Sequence, residues 1–159
     1  MKSVFKNLLV LAAVMFSTNY SVNSEEWKKS DTKINIQITN EEGTKTNLVA
    51  TLADNKTATE FLKKLSENEI ELQMKDYSAF EKFARLPFNL PQEDSNITTK
   101  PGDLMIAWGN TLAIYYGQNN YSFSRLGFLD AVEDGTITRN DLMEILGKGI
   151  ITARFSVKK

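Results

Sequence analysis

Arg125 follows Phe123 by two residues and Tyr121 by four, so on a strand the guanidinium and both rings share one face. Such a group can donate to a bound carbonyl or carboxylate beside aromatic walls. The commoner arrangement is an exposed strand arginine whose aliphatic stem covers apolar surface. Tyr77, Phe80, Phe83, Trp108, Tyr115 and Tyr116 extend the aromatic set through the middle of the chain. Together they can line a pocket for a peptide or small organic ligand, or they can fill a core with the tyrosine hydroxyls at its rim. Alternate strand positions face inward, so core is expected for most of them. The candidate ligand contacts are Arg125, Tyr121, Phe123, Tyr77, Phe83 and Tyr115.

Several chemistries are excluded by what is missing. The chain has no histidine and no cysteine, which removes Ser-His and Cys-His nucleophiles. Zinc sites built from carboxylates alone are rare, and no carboxylate pair has a spacing that marks it for acid-base work. Glu41-Glu42 falls in a turn and is expected to be solvated. Asp130 to Asp141 resembles a calcium loop, with Asp130, Asp134, Gly135 and Thr138 at suitable positions. However, Val132 occupies a ligand position, and the short Asp141 stands where a bidentate glutamate is needed. An acidic turn leading into a capped helix is the better reading. No metal and no cofactor are expected. Asn96-Ile97-Thr98 matches a glycosylation sequon, a pattern short enough to arise by chance.

The elements that must position these residues follow from periodicity. Ile34, Ile36 and Ile38 alternate with polar residues, as do Leu48, Ala50 and Leu52, and Glu41 to Thr44 forms a turn between them. That pattern predicts a hairpin. Thr57 with Glu60 suggests a capping box ahead of a helix burying Ala58, Phe61, Leu62 and Leu65. Ile70, Leu72 and Met74 resume the strand period. Between Asp76 and Thr99 the pattern loosens, and Pro87 and Pro91 predict a long loop punctuated by phenylalanines. Pro101-Gly102 signals a type II turn. Strands over Asp103 to Trp108 and Thr111 to Tyr116 pair across Gly109-Asn110. Tyr121 to Leu126 predicts another strand, and a short helix starts at Asn140 or Asp141 and is closed by Gly147. Ile151, Ala153, Phe155 and Val157 alternate to finish the chain.

The first residues have a different character. Lys2 and Lys6 precede the apolar run Leu8 to Phe16, after which Ser17, Thr18 and Asn19 turn polar. This is the pattern of a secretory signal peptide, and the run is too short for a transmembrane helix, which needs about 20 residues. Residues 1–24 are therefore expected to be a signal peptide, 25–32 a polar linker and 33–159 a single domain. Export to a bacterial periplasm or beyond is expected, without stable membrane insertion once the signal is cut. With no cysteine, no disulfide can staple the fold, so the apolar core must hold it. The formal charge is −1, from 19 basic and 20 acidic residues; without Lys2 and Lys6 it becomes −3. Such a balance offers no electrostatic footprint for nucleic acid.

Ala53-Asp54-Asn55, Pro101-Gly102-Asp103-Leu104-Met105, Leu112-Ala113-Ile114-Tyr115-Tyr116, Ser124-Arg125-Leu126-Gly127 and Leu146-Gly147-Lys148-Gly149 occur in this order. In order and spacing the chain resembles the compact cyclophilin-like family of bacterial proteins, over most of Ile34 to Phe155. The resemblance implies a mainly β fold, a closed or nearly closed β-barrel with two short helices. Cyclophilins isomerise X-Pro bonds, favouring the twisted amide against a barrier of about 18–20 kcal/mol. They use a hydrophobic cleft, an arginine, and a histidine with aromatic neighbours. This chain has no histidine, and neither Arg85 nor Arg125 sits in the parent motif. The resemblance therefore implies a binding module for a peptide or small molecule, with a divergent peptidyl-prolyl isomerase using Arg125, Tyr121 and Phe123 as the alternative.

Overall fold

Period-two alternation decides which side chains fill the interior. In the computed structural model, which describes residues 27–159, Ile34, Ile36 and Ile38 are all buried, as are Leu48, Ala50 and Leu52 facing them. They lie on β1 (Lys29–Thr39) and β2 (Lys45–Ala53), paired antiparallel. The chain continues through α1 (Lys56–Glu67), β3 (Ile70–Tyr77), β4 (Glu81–Arg85), β5 (Ser95–Thr98), β6 (Asp103–Ala107), β7 (Thr111–Tyr115) and β8 (Asn120–Leu129). It ends in α2 (Asp130–Glu133), α3 (Arg139–Leu146) and β9 (Ile151–Val157). The strand order is β2-β1-β9-β3-β4-β7-β6-β8, and β8 pairs back onto β2. This closes a barrel, with β5 added beside β8. The expected signal segment, residues 1–24, lies outside the described residues.

The mainly β closed barrel is as expected, and the details depart in places that have physical causes. Among the described residues three short helices are present instead of two. The extra one, α2, is a single turn with no buried residue, so it leaves no apolar period to detect. Lys29 to Thr32 belong to β1, where a polar linker was expected. There the ladder to β2 is irregular, and the exposed positions carry charged residues, Lys29, Asp31 and Lys33. The region from Asp76 to Thr99 is not one loop. It contains β4 and β5, of five and four residues, too short to establish a period. The prolines lie between those two strands.

Helix α1 starts two residues before the expected capping box. Asn55 is extended (φ −153°) and its side-chain oxygen accepts from the Ala58 amide at 2.8 Å. Its amide nitrogen also donates to the Arg125 carbonyl at 2.8 Å, so this cap ties the helix to β8. Thr57 lies inside the first turn, fully buried, donating to the Pro91 carbonyl at 2.6 Å. The helix packs on β8 and β9, with Phe61 edge-on to Phe155 at 6.0 Å. Helix α3 has the capping box that α1 lacks, between Thr138 and Asp141.

Closure depends on a glycine. Gly127 on β8 pairs with Leu52 on β2 and Leu104 on β6. A β-carbon there would fall against the Thr51 carbonyl oxygen, so the strands can approach only without one. One residue earlier the β6–β8 register slips, leaving Leu126 without a partner, as at a bulge. Gly127→Ala is expected to destabilise the protein by about 3 kcal/mol through overpacking at the seam. Urea unfolding should show a lower midpoint, and an unchanged midpoint would contradict this role.

Candidate functional site

Opposed residues on antiparallel strands project to the same face, so the registers build the outer surface row by row. Tyr77, Glu81 and Tyr115 stand side by side on β3, β4 and β7. The next row holds Lys75, Phe83, Ala113, Met105 and Arg125. Beyond it, Phe123 and Tyr121 on β8 oppose Ser95 and Ile97 on β5. All six candidate residues therefore lie on the outside of the barrel, on one face. Met105, Ala107, Ala113, Tyr115 and Phe123 form a small apolar layer separate from the barrel interior, with Phe80, Phe83 and Ile97 packed against it.

The rings form an unbroken chain across this face. Tyr77 meets Phe83 at 6.0 Å and Phe80 at 5.8 Å, and Phe80 stacks on Tyr115 at 6.3 Å. Tyr115 meets Phe123 at 5.6 Å, Phe123 meets Tyr121 at 5.5 Å, and Tyr121 meets Trp108 at 5.8 Å. The middle of the chain is buried and the ends are open: Tyr77 is 58% and Trp108 65% exposed. Core is thus the outcome for Tyr115 and Phe123, though in the outer layer, while Tyr77 and Tyr121 present apolar surface to solvent.

Trp108 is held in an unusual backbone. It does not end β6 as expected; it and Gly109 both have positive φ, 51° and 73°, in a turn closed by the Asn110 amide on the Ala107 carbonyl at 3.3 Å. A bulky residue in the left-handed region costs about 1–2 kcal/mol. The Gly109 and Asn110 carbonyls accept from the Leu90 and Leu86 amides, both at 2.7 Å, so the segment after β4 clamps the turn. Positive φ at both central residues is the primed turn that suits the twist of a hairpin, and here it displays a large, exposed ring.

Arg125 is neither a free donor nor an exposed side chain. Its guanidinium donates to Asp103 at 2.6 Å, the arginine side chain is 13% exposed, and Asp103 is fully buried. The other Asp103 oxygen accepts from the Lys100 amide at 2.8 Å, and the Arg125 guanidinium lies 5.1 Å from the Trp27 ring centre. Removing one partner of a buried pair orphans the other at a cost of about 3–5 kcal/mol, so this arginine is fixed in place.

Glu81 is the group that sequence reasoning misses. At the start of a short strand a glutamate looks solvated, and only its alternation with Phe83 hints at the aromatic face. It is buried, and its Oε2 is without a hydrogen-bond partner among the described residues. Leaving a buried acceptor unsatisfied costs about 1–3 kcal/mol. Burial pushes its carboxyl pKa up, and a hydrogen bond from the Tyr115 hydroxyl pulls it the other way. The Tyr115 hydroxyl is in turn pushed well up by burial and by Glu81.

Alternation sends Asp76, Lys82 and Tyr116 away from this face. The fully buried Lys82 donates to Asp76 at 2.9 Å and to the Gly149 carbonyl at 2.5 Å. The Tyr116 hydroxyl donates to Asp76 at 3.0 Å, and burial together with that carboxylate pushes its pKa up to about 12. A cleft of about 680 Å3 opens beside them, lined by Glu41, Glu42, Asp76, Tyr116 and Glu144 among others. In the segment that resembles a calcium loop, Asp130 binds Lys33 at 2.5 Å and Thr51 at 2.6 Å. Asp134 accepts from Thr136, and Asp141 caps α3. Among the described residues no group of three or more acidic side chains is placed to hold a metal.

The model of the cyclophilin-like family matches residues 42–156, and the chain belongs to that family. No curated protein matches it.

A raised carboxyl pKa has a definite sign in stability. Between the ordinary value of 4.5 and its higher folded value, Glu81 holds more protons folded than unfolded, so its contribution falls as pH rises. Below that window both states are protonated. Glu81→Gln imitates the neutral acid, so it should match wild type near pH 4 (about the unfolded value) and exceed it near pH 7. Urea unfolding at both pH values checks this, and a difference independent of pH would contradict it.

Proposed function

We propose that this protein is an exported binding module whose outer aromatic face holds a peptide or small organic ligand without transforming it. The carrying observation is the chain of rings from Tyr77 to Trp108, buried at its centre and open at both ends. Exposed rings seated on a buried apolar layer suit a contact site, where aromatic rings dominate the energetics. The short β5 strand lies beside Tyr121 and, among the described residues, is bonded only to β8. Its free edge suits an extended peptide, which adds as a strand while its side chains reach the rings.

The isomerase alternative is weaker on one specific ground. Catalysis of amide rotation requires a donor free to favour the twisted state over the planar one. Arg125 donates to Asp103 and is nearly buried, so it cannot turn to a substrate without leaving that carboxylate unpaired. Export draws its support from the charged start and apolar run of residues 2–16.

An acetylated tetrapeptide containing Ala-Pro is the test ligand. Wild type is expected to leave its cis-trans rate unchanged while binding it, and Trp108→Ala should weaken binding roughly tenfold, about 1.4 kcal/mol. Protein recovered from outside an expressing cell should lack residues 1–24 by intact mass. Clear acceleration of isomerisation would replace binding with catalysis as the function.

A further inference from the structure

The aromatic face has a polar centre that an apolar ligand would leave unsatisfied. Glu81 is flanked by Tyr77 on one strand and Tyr115 on the other, with Phe83 two residues along its own strand. Phe80 stacks on Tyr115 and meets Tyr77. Register and ring contacts thus place four rings beside Glu81, the residue is more than nine-tenths buried, and its Oε2 has no donor among the described residues. Ring faces carry negative quadrupole charge and attract cations. A carboxylate beneath several rings adds a full charge to that attraction.

The same face already binds its own cations in this way. The Lys75 ammonium lies 5.4 Å from the Phe83 ring centre, and the Arg125 guanidinium 5.1 Å from that of Trp27. Neither reaches the free oxygen of Glu81. A buried oxygen beside rings, with no donor among the described residues, is complementary to a donor that comes from outside.

We propose that Glu81, framed by Tyr77, Phe80, Phe83 and Tyr115, is a recognition site for an alkylammonium group. The ammonium donates to Glu81 Oε2, and its methylene stem packs on the rings. Tyr77 is the cover. It is the exposed ring of the four, stands at the end of β3, and is followed by Ser78 with a φ of 52°; turning it aside opens the carboxylate. The ammonium can be carried by a lysine side chain of a bound peptide or by a free primary amine. This inference rests on the reading of the outer face as a binding surface, and it assigns that surface its charge preference.

Calorimetric titration of the full protein with three probes tests it. One is an acetylated, amidated Ala-Ala-Lys-Ala-Ala peptide, the second replaces lysine with norleucine, and the third is n-butylammonium. The lysine peptide is expected to bind about tenfold more tightly than the norleucine peptide, a difference of about 1.4 kcal/mol. That preference should vanish in Glu81→Gln, and Tyr77→Ala should weaken both peptides. Binding of n-butylammonium that Glu81→Gln abolishes, with no tighter binding of the lysine peptide, identifies a free amine as the ligand and supports the site. Equal binding of both peptides, with none of the amine, overturns the cation site but leaves the binding face intact. Failure of all three probes to bind overturns both. Preference for lysine that persists in Glu81→Gln would place the cation elsewhere and also overturn the assignment.

Discussion

The approach of β8 to β2 at Gly127 organises the molecule. β8 is bonded to β6 throughout its second half, to β2 near its end, and to β5 at its start. Its last residues therefore seal the barrel while its first residues extend past it. Because side chains alternate along one continuous strand, the seal also fixes which face Tyr121, Phe123 and Arg125 occupy. A β-carbon at Gly127 would push on backbone, which cannot yield as a flexible side chain can. The aliphatic residues of β1, β2, β6, β7 and β9 then fill the interior with Phe61, Tyr116 and Phe155, and a second set of aromatic residues builds an outer layer.

That outer layer has two kinds of polar group, and they differ in what they can do. Arg125 and Asp103 satisfy one another, and Asp103 receives a further backbone amide. A pair satisfied in this way fixes geometry and offers nothing to a ligand. Glu81 is the reverse: buried at the centre of the rings with an oxygen left over. A protein can carry an unsatisfied buried acceptor only at some loss of stability, and such sites are where function and stability trade against each other. The strained Trp108 turn, clamped by the amides of Leu86 and Leu90, is a second departure from the most stable choice on the same face. Both departures fall on the same surface, and this is the support for the proposed binding face.

Much of the fold was legible in the sequence, because long strands announce themselves. Ile34, Ile36 and Ile38, or Ile151, Ala153 and Phe155, repeat often enough for the period to stand out. The short strands β4 and β5 do not repeat enough, and α2 buries nothing. The start of α1 lies two residues before the Thr57 that the sequence suggests, at Asn55, whose side chain also reaches the Arg125 carbonyl, a contact made only after folding. The aromatic half of the site was visible as residue types at strand spacing. Its polar half was not. The Arg125–Asp103 pair joins residues 22 apart across two strands, and the isolation of Glu81 depends on burial that only the neighbouring strands create.

Chemical-shift mapping by NMR tests the central claim, that ligands meet the outer aromatic face and not the acidic cleft at the Asp76 side. With backbone resonances assigned, titration with the lysine-containing peptide should shift the amides around Tyr77, Glu81, Tyr115, Trp108 and Tyr121. Asn40, Glu42, Glu144 and Gly147, which line the cleft, should stay unmoved. Shifts confined to those cleft residues, with the amides of the aromatic face unchanged, would contradict the account.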